Sequence, residues 1–187
     1  MYPNLTLNIS DHKPTLFLKP EAEISRAIVS SEDSIKDLIF SIVEQLNLKT
    51  ELKQDFKLED ILALASEGDE RMIEVIPEND TYGKSFGFVD FVNRQLQEAK
   101  KSKDDFSRFG SNIEKDVLNA LHVFQNIDIL ASMIEMIYNI LIARVILAAN
   151  DLSIKNIILE DECGYPRLAG KMSSELAKEG LSLTLSN

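Results

Sequence analysis

The sequence predicts an α+β fold that is predominantly helical: an N-terminal β-hairpin, a central helical bundle with one long buried helix, and a C-terminal β-α-β unit that contributes to a small mixed sheet. Three observations support this fold class. Apolar and polar residues alternate over the first 20 residues and again from Leu181 to Leu185, which is the period of half-buried strands. Between these regions, apolar residues recur every three or four positions, the helical period. Residues 153–160 add one more apolar run, so we expect four strands.

The composition is that of a soluble protein with a packed core. The 187 residues include 20 basic and 31 acidic side chains, a net charge of −11, and 44% of the residues are apolar. A chain of this length usually forms one core, so residues 1–187 are predicted to be a single domain. The acidic excess argues against direct binding to nucleic acid, which needs clustered lysine and arginine.

Cysteine and histidine usage narrows the classes further. One cysteine excludes an internal disulfide framework, and with only two histidines the usual zinc clusters are excluded as well. Met1 to Ser10 contain no basic region followed by an apolar one, so no secretory signal is visible. We therefore expect a cytoplasmic protein.

The N-terminal hairpin is predicted from two apolar runs with a turn at residues 10–14. Its inward-facing residues are Leu5, Leu7, Ile9, Leu16 and Leu18. Pro20 ends the second strand because it has no N–H to donate. Residues 21–29 and 71–76 fit both helix and strand, and the sequence leaves their conformation and the strand order open.

Three helices are predicted before the central segment. The first follows Ser30, which with Asp33 resembles a capping box, and stops at Asn47. The second carries an apolar stripe from Leu58 to Ala65, with Gly68 in the left-handed conformation beyond it. Residues 77–83 form a loop rich in turn residues. The third helix starts at Phe88 and is predicted to end at Lys100, Lys101 and Lys103, whose charges suit a helix C-terminus.

The central segment predicts a long helical seam. After a capping box at Ser111 and Glu114, apolar residues repeat at spacings of four and three as far as Ala148. Residues 111–150 are either one helix or two that bend near Asn126. From Ile127 onward the seam is flanked by further apolar residues, so the helix should be buried on most sides.

Three environments fit this buried segment. Residues 129–149 are long enough to span a membrane, but Glu135 and Arg144 oppose that interpretation. A core helix is the simplest alternative. A helix buried partly by a second copy of the chain is the other, and it leads us to expect a homo-oligomer, with a dimer favoured.

The C-terminal unit is predicted as a strand over 153–160, a helix that opens at Pro166 and closes at Gly180, and a last strand over 181–185. Ligands of α/β sheets favour the carboxyl end of a strand before a helix N-terminus. The candidate ligand or partner site comprises Arg144, Glu160, Asp161, Glu162, Cys163, Tyr165 and Arg167.

Each member of this site has a simpler structural interpretation. The three successive carboxylates fit a solvated loop better than a cation site, because neighbouring strand residues point to opposite faces. Carboxylates beside Cys163 oppose its ionisation. Arg144 lies about 140° around the helix from Asn139, outside the polar stripe, and should be buried in a structural pair with a carboxylate. His12 is expected in an exposed turn, and His122 at the edge of the core.

No nucleotide-binding or hydrolase signature occurs in the chain, so we predict no catalytic, cofactor-binding or metal-binding residues. The sequence favours a non-catalytic intracellular interaction or assembly protein that acts through helix-mediated oligomerisation and an acidic surface. One alternative is an acidic inhibitor or regulator of a basic partner protein. Another is a small enzyme of unfamiliar type that uses the 160–167 loop.

Overall fold

A computed structural model describes residues 3–10, 14–19, 26–30, 34–70, 88–110 and 125–186. Only the backbone is described for residues 19, 26–30, 88–90 and 105–110. The predicted α+β, mostly helical fold class is confirmed. The described strands are β1 (Asn4–Ile9), β2 (Pro14–Lys19), β3 (Arg26–Ser30), β4 (Asn156–Asp161) and β5 (Ser182–Leu185). The described α-helices are α1 (Ile35–Gln45), α2 (Leu58–Ala65), α3 (Phe88–Gly110), α4 (Asn126–Asp151) and α5 (Leu168–Lys178).

The strands form one mixed sheet in the order β3-β2-β1-β4-β5. The N-terminal hairpin pairs β1 with β2 in antiparallel orientation, and β2 pairs with β3 in the same way. β4 is parallel to both β1 and β5, as expected for a β-α-β unit. The sheet has one strand more than expected because Arg26–Ser30, whose sequence fits helix and strand alike, adds to the edge of the hairpin.

The two faces of the sheet differ in composition. One face is apolar, and its buried residues are Leu5, Leu7, Ile9, Leu16, Ile157 and Leu159. The other face places Thr6 at the centre, in register with Phe17 and Ile158. Thr6 is fully buried although its hydroxyl has no hydrogen-bond partner among the described residues. The alternation predicted for β1 and β2 is therefore correct, but the second face is not simply solvated.

The chain divides into two compact units. One contains the sheet, α5 and the second part of α4 from Tyr138 onward. The other contains α2, most of α1 and α3, and the first part of α4 up to Ile137. The single-domain assignment stays a prediction.

Several predicted helix boundaries need correction. Ser30 is the last residue of β3, and α1 begins at Ile35, where the Ser34 hydroxyl accepts a 3.4 Å hydrogen bond from the Asp37 N–H. The predicted stop at Asn47 is confirmed, since its φ of 56° is left-handed. Pro166 is not the first helical residue. Arg167, with φ 67°, precedes α5, and Gly180 follows it with φ 69° as predicted.

Gly68 is required for a reason other than the predicted left-handed turn. Its φ is not positive, but a Cβ atom built on it would lie 2.5 Å from the carbonyl oxygen of Ile127. The chain after α2 therefore passes directly against the backbone at the start of α4, and only glycine leaves room for this approach.

The lysine run does not end α3, which continues to Gly110. Lys100 instead donates to the carbonyl oxygen of Gln45 at 3.0 Å, and the Asn126 side chain donates to the carbonyl oxygen of Leu46 at 2.7 Å. Lys103 donates to the Asn126 side chain. Lys100 thus satisfies a carbonyl group at the C-terminal end of α1, where the helix dipole favours a positive charge, and Lys103 bonds the Asn126 side chain that satisfies the next one.

Helix α4 is largely buried within a single chain. Its flanking residues Ile129, Leu130, Met133 and Ile137 are all at most 2% exposed. Among the described helices it is the one long and apolar enough to cross a membrane, and 72% of its apolar window is buried, as in the core helix of a soluble protein. The exposed apolar surface that motivated the dimer prediction is therefore not present on these residues, whereas Leu147, which also flanks the seam, is half-buried.

Some predictions concern residues outside the described ranges. These are His12, Pro20, residues 21–25 and 71–76, the loop at 77–83, the capping box at Ser111 and Glu114, and His122. For the segment 111–150, the described part is the helix that begins at Asn126.

Candidate functional site

The carboxyl end of β4 is organised around the Asp161 carboxylate. One of its oxygens accepts hydrogen bonds from the backbone N–H groups of Cys163, at 3.2 Å, and Gly164, at 2.9 Å. The other accepts from the N–H of Tyr165 at 2.8 Å. Gly164 makes the turn possible with a φ of 63°. We call residues 161–165 the β4 loop.

The acidic run Glu160, Asp161 and Glu162 does not converge. Glu160 accepts a 3.0 Å hydrogen bond from the Asn8 side chain on the neighbouring strand, whereas Asp161 bonds its own loop. Glu162 is exposed, and its N–H donates to the carbonyl oxygen of Ile9 at 3.0 Å. Within the described ranges, no group of three His, Cys, Asp or Glu residues is arranged to hold a metal ion.

Tyr138 belongs to this region although the sequence marked it only as a seam residue. Its ring meets that of Tyr165 edge to face, with centroids 6.2 Å apart, and both residues are 4% exposed. Burial raises the pKa of Tyr138 well above its ordinary value, and the Asp161 charge raises this pKa further. The charge of Arg167 acts in the opposite direction. No sequence signal distinguished Tyr138, because a buried tyrosine occupies a seam position as readily as leucine.

Arg144 is buried, at 9% exposure, as the helical phase predicts. The residue has an interaction partner. It follows Tyr138 on α4 by six positions, a rotation of about 240° and a rise of about 9 Å along the helix. Arg144 and Tyr138 therefore lie on different sides of α4, and Tyr138 is close to Tyr165 and Asp161.

Cys163 is a half-buried cysteine whose backbone N–H is held by Asp161. Arg167 is exposed and takes the left-handed conformation immediately before α5. Of the seven predicted residues, the structure brings Asp161, Cys163, Tyr165 and Arg167 together. It directs Glu160 and Glu162 elsewhere.

A second feature lies in residues 51–70, which we call the acidic segment. It contains seven acidic residues and two lysines, so its net charge is 2 − 7 = −5. Its exposed carboxylates are those of Glu51, Asp55, Glu59, Glu67 and Asp69. Within the described part of the chain, no ion pair engages the first four of these. The total charge of the chain, considered above, does not single out this segment.

Comparison with known proteins adds no assignment. No protein-family model matches the chain, and a search among curated proteins gives no match.

The two features differ in what they offer chemically. In the β4 loop, three backbone N–H groups that would suit an external anion already bond the Asp161 carboxylate. The loop is thus closed upon itself, as a structural turn is. In the acidic segment, by contrast, the carboxylates of Glu51, Asp55, Glu59 and Glu67 face solvent and keep their hydrogen-bonding capacity for a cationic partner.

Proposed function

We propose that the protein is a non-catalytic interaction protein whose acidic segment binds a basic protein or peptide. The observation that carries this proposal is the exposure of four carboxylates, those of Glu51, Asp55, Glu59 and Glu67. A local charge of −5 on a chain of net charge −11 creates a negative field that attracts a positive partner.

The non-catalytic part of the proposal is supported by the β4 loop. Its hydrogen-bond donors are engaged by Asp161, and the tyrosine rings beside it are buried. A catalytic group needs to reach a substrate, and these groups are taken up by contacts within the chain.

The proposed binding surface differs from the one that the sequence favours. The sequence favours oligomerisation through the long helix, but most of the flanking residues of α4 are covered by the chain itself. We therefore assign partner binding to the acidic surface. A cytoplasmic location remains part of the proposal, since the chain has a single cysteine and therefore no internal disulfide.

The physical consequence is fast, salt-sensitive binding. Exposed charges raise the rate of association with an oppositely charged partner, and the Debye length falls from about 10 Å at 0.1 M salt to about 3 Å at 1 M. Rim charges of this kind change the association rate more than the dissociation rate.

The experiment is fluorescence anisotropy with a labelled peptide of alternating lysine and arginine as the probe. The test variant carries Glu51→Gln, Asp55→Asn, Glu59→Gln and Glu67→Gln. The control variant carries Glu98→Gln, Asp104→Asn, Asp151→Asn and Glu179→Gln. These are four exposed acidic residues outside the segment, so both variants lose the same total charge.

The parent and the control variant should bind the peptide with similar affinity at about 50 mM salt, and the test variant should bind at least about tenfold more weakly. Binding by the parent should weaken as salt is added. Equal weakening in both variants would show that only the total charge matters and would contradict the acidic segment as the site. Absence of binding by the parent would contradict the proposal as a whole.

A further inference from the structure

Strand β5 forms one edge of the sheet. It pairs with β4 on one side, and none of the other described strands pairs with its second side. Leu185 on this strand is 56% exposed and is the exposed large apolar residue within the described ranges. An edge strand presents unpaired N–H and C=O groups that can template another strand.

The pairing with β4 fixes which backbone groups point outward. The N–H groups of Ser182 and Ser186 donate to the carbonyl oxygens of Lys155 and Leu159 on the β4 side. Because bonding direction alternates along a strand, Thr184 also faces β4, and the N–H and C=O groups of Leu183 and Leu185 face away from it.

This edge lacks the features by which sheet edges usually resist pairing. Residues 181–187 contain no charged residue and no proline, although the whole chain has a net charge of −11. Natural edges are protected by lysine, by proline or by bulges. A second copy of the chain is equally acidic, so an uncharged strip lets two copies meet without local repulsion between like charges.

We propose that β5 pairs with β5 of a second copy of this chain, in antiparallel orientation, about a two-fold axis at Thr184. Leu183 then lies opposite Leu185 of the partner subunit, and the outward groups of each pair exchange two hydrogen bonds. Leu183 and Leu185 share one face of the strand, so the leucines of both copies form a single apolar cluster. The two sheets become one continuous sheet.

The first experiment is sedimentation equilibrium of the full chain over roughly 1 μM to 1 mM, the range expected of a small interface. The mean mass should rise from 21.1 kDa toward twice that value as the concentration increases. The variant Leu185→Pro removes an outward N–H group but none of the bonds to β4, and should weaken the dimer about tenfold or more. The variant Leu185→Thr keeps the N–H group and should weaken the dimer less.

The register is tested by a charge exchange at the proposed axis. Thr184 is exposed and should meet Thr184 of the partner subunit, so Thr184→Lys and Thr184→Glu should each give a monomer through repulsion between like charges. An equimolar mixture of these two variants should recover the dimer mass. Circular dichroism should show parent-like helix and strand content for every variant.

Three results would overturn the proposal: a parent that stays monomeric at about 1 mM, self-association unchanged by Leu185→Pro, or a mixture of the Thr184 variants that remains monomeric. Added salt separates this dimer from binding by the acidic segment. Salt screens repulsion between the two acidic chains and strengthens the dimer, whereas it weakens binding of a basic peptide. Failure of one proposal therefore leaves the other standing.

Discussion

The start of α4 and the β4 loop each concentrate hydrogen bonds on a few residues, but the bonded residues lie at very different distances along the chain. At the start of α4, Asn126 bonds a carbonyl group 80 residues earlier, and Asp128 accepts from the N–H of Asp69, 59 residues earlier. In the β4 loop, the three partners of Asp161 lie two to four residues away.

The difference teaches which contacts depend on the rest of the fold. Bonds within the β4 loop need only the local turn, which forms whenever Gly164 adopts its left-handed conformation. Bonds at the start of α4 exist only after α1, α2 and α4 have met. Substitutions at the start of α4 should therefore report on the packing of the whole helical unit, and substitutions in the β4 loop on a local turn.

The largest effect should come from Gly68→Ala at the start of α4. The added Cβ would lie 2.5 Å from the Ile127 carbonyl oxygen, so the backbone must shift, and we expect a loss of about 3 kcal/mol in the free energy of unfolding. The matched control is Gly170→Ala, where a Cβ meets nothing within 4 Å and α5 should gain about 0.5 to 1 kcal/mol. Urea unfolding measures both. Similar stabilities for these two variants would contradict the claim that the close approach to Ile127 requires glycine at position 68.

A smaller effect is expected from Asp161→Ala in the β4 loop. Three backbone N–H groups lose their acceptor, but the loop is partly open to water, which can replace some of the bonds, so we expect a loss of about 2 kcal/mol. Glu162→Ala changes the exposed neighbouring carboxylate and should stay within about 0.5 kcal/mol of the parent. Hydrogen exchange should show faster exchange confined to residues 163–165 in Asp161→Ala. Faster exchange throughout the sheet would contradict the local character of this loop.

Lys100→Met should have a smaller effect again, about 1 kcal/mol. It removes the ammonium group that donates to the Gln45 carbonyl oxygen at the C-terminal end of α1, while keeping the aliphatic part of the side chain. Lys101→Met is the control, because Lys101 is exposed on the same helix. The two variants are compared by their denaturant midpoints at low salt. A stability difference near zero would mean that Lys100 is not needed at the end of α1.

Tyr138→Phe should change stability least at neutral pH, by about 1 kcal/mol or less, and should show its effect in alkali. Burial raises the pKa of Tyr138 above 10.0, so the folded chain keeps a proton that the unfolded chain releases above about pH 10. The contribution of Tyr138 to stability is fully present below about pH 10. The parent should lose this contribution as the pH rises above that value. Tyr138→Phe should show a shallower decline between about pH 9 and 11 in urea unfolding. Parallel declines for parent and variant would contradict the pKa direction.

The sequence predicts local features better than assembled ones. The stop at Asn47, the left-handed Gly180 and the alternation of β1 depend on neighbouring residues, and all three were predictable. Lys100 shows the limit. Its charge suits a helix C-terminus, but the carbonyl group that it bonds belongs to α1 and not to its own helix, α3. Only the packing of α1 against α3 brings Lys100 and Gln45 together.

The candidate site shows the same limit. The position of Asp161 at the end of a strand followed from the pattern, as did the divergence of the neighbouring carboxylates. The place of Tyr138 beside this loop could not be predicted, because helical phase does not tell which buried side chains meet a loop from another part of the chain. The reason for Gly68 was missed likewise, since a close approach between backbones leaves no local pattern.

The parallel pairing of β1 with β4 has a consequence for how the protein is made. Asn8 on β1 bonds Glu160 on β4, 152 residues later, and ribosomes add about 5 to 20 residues per second. The N-terminal strands therefore leave the ribosome about 8 to 30 seconds before β4, the strand that completes the centre of their sheet. During that interval the β1 edge lacks the neighbour that it has in the folded chain, next to an apolar face made by Leu5, Leu7 and Ile9. The risk of aggregation in this protein is thus set by the order of translation as much as by the stability of the finished fold.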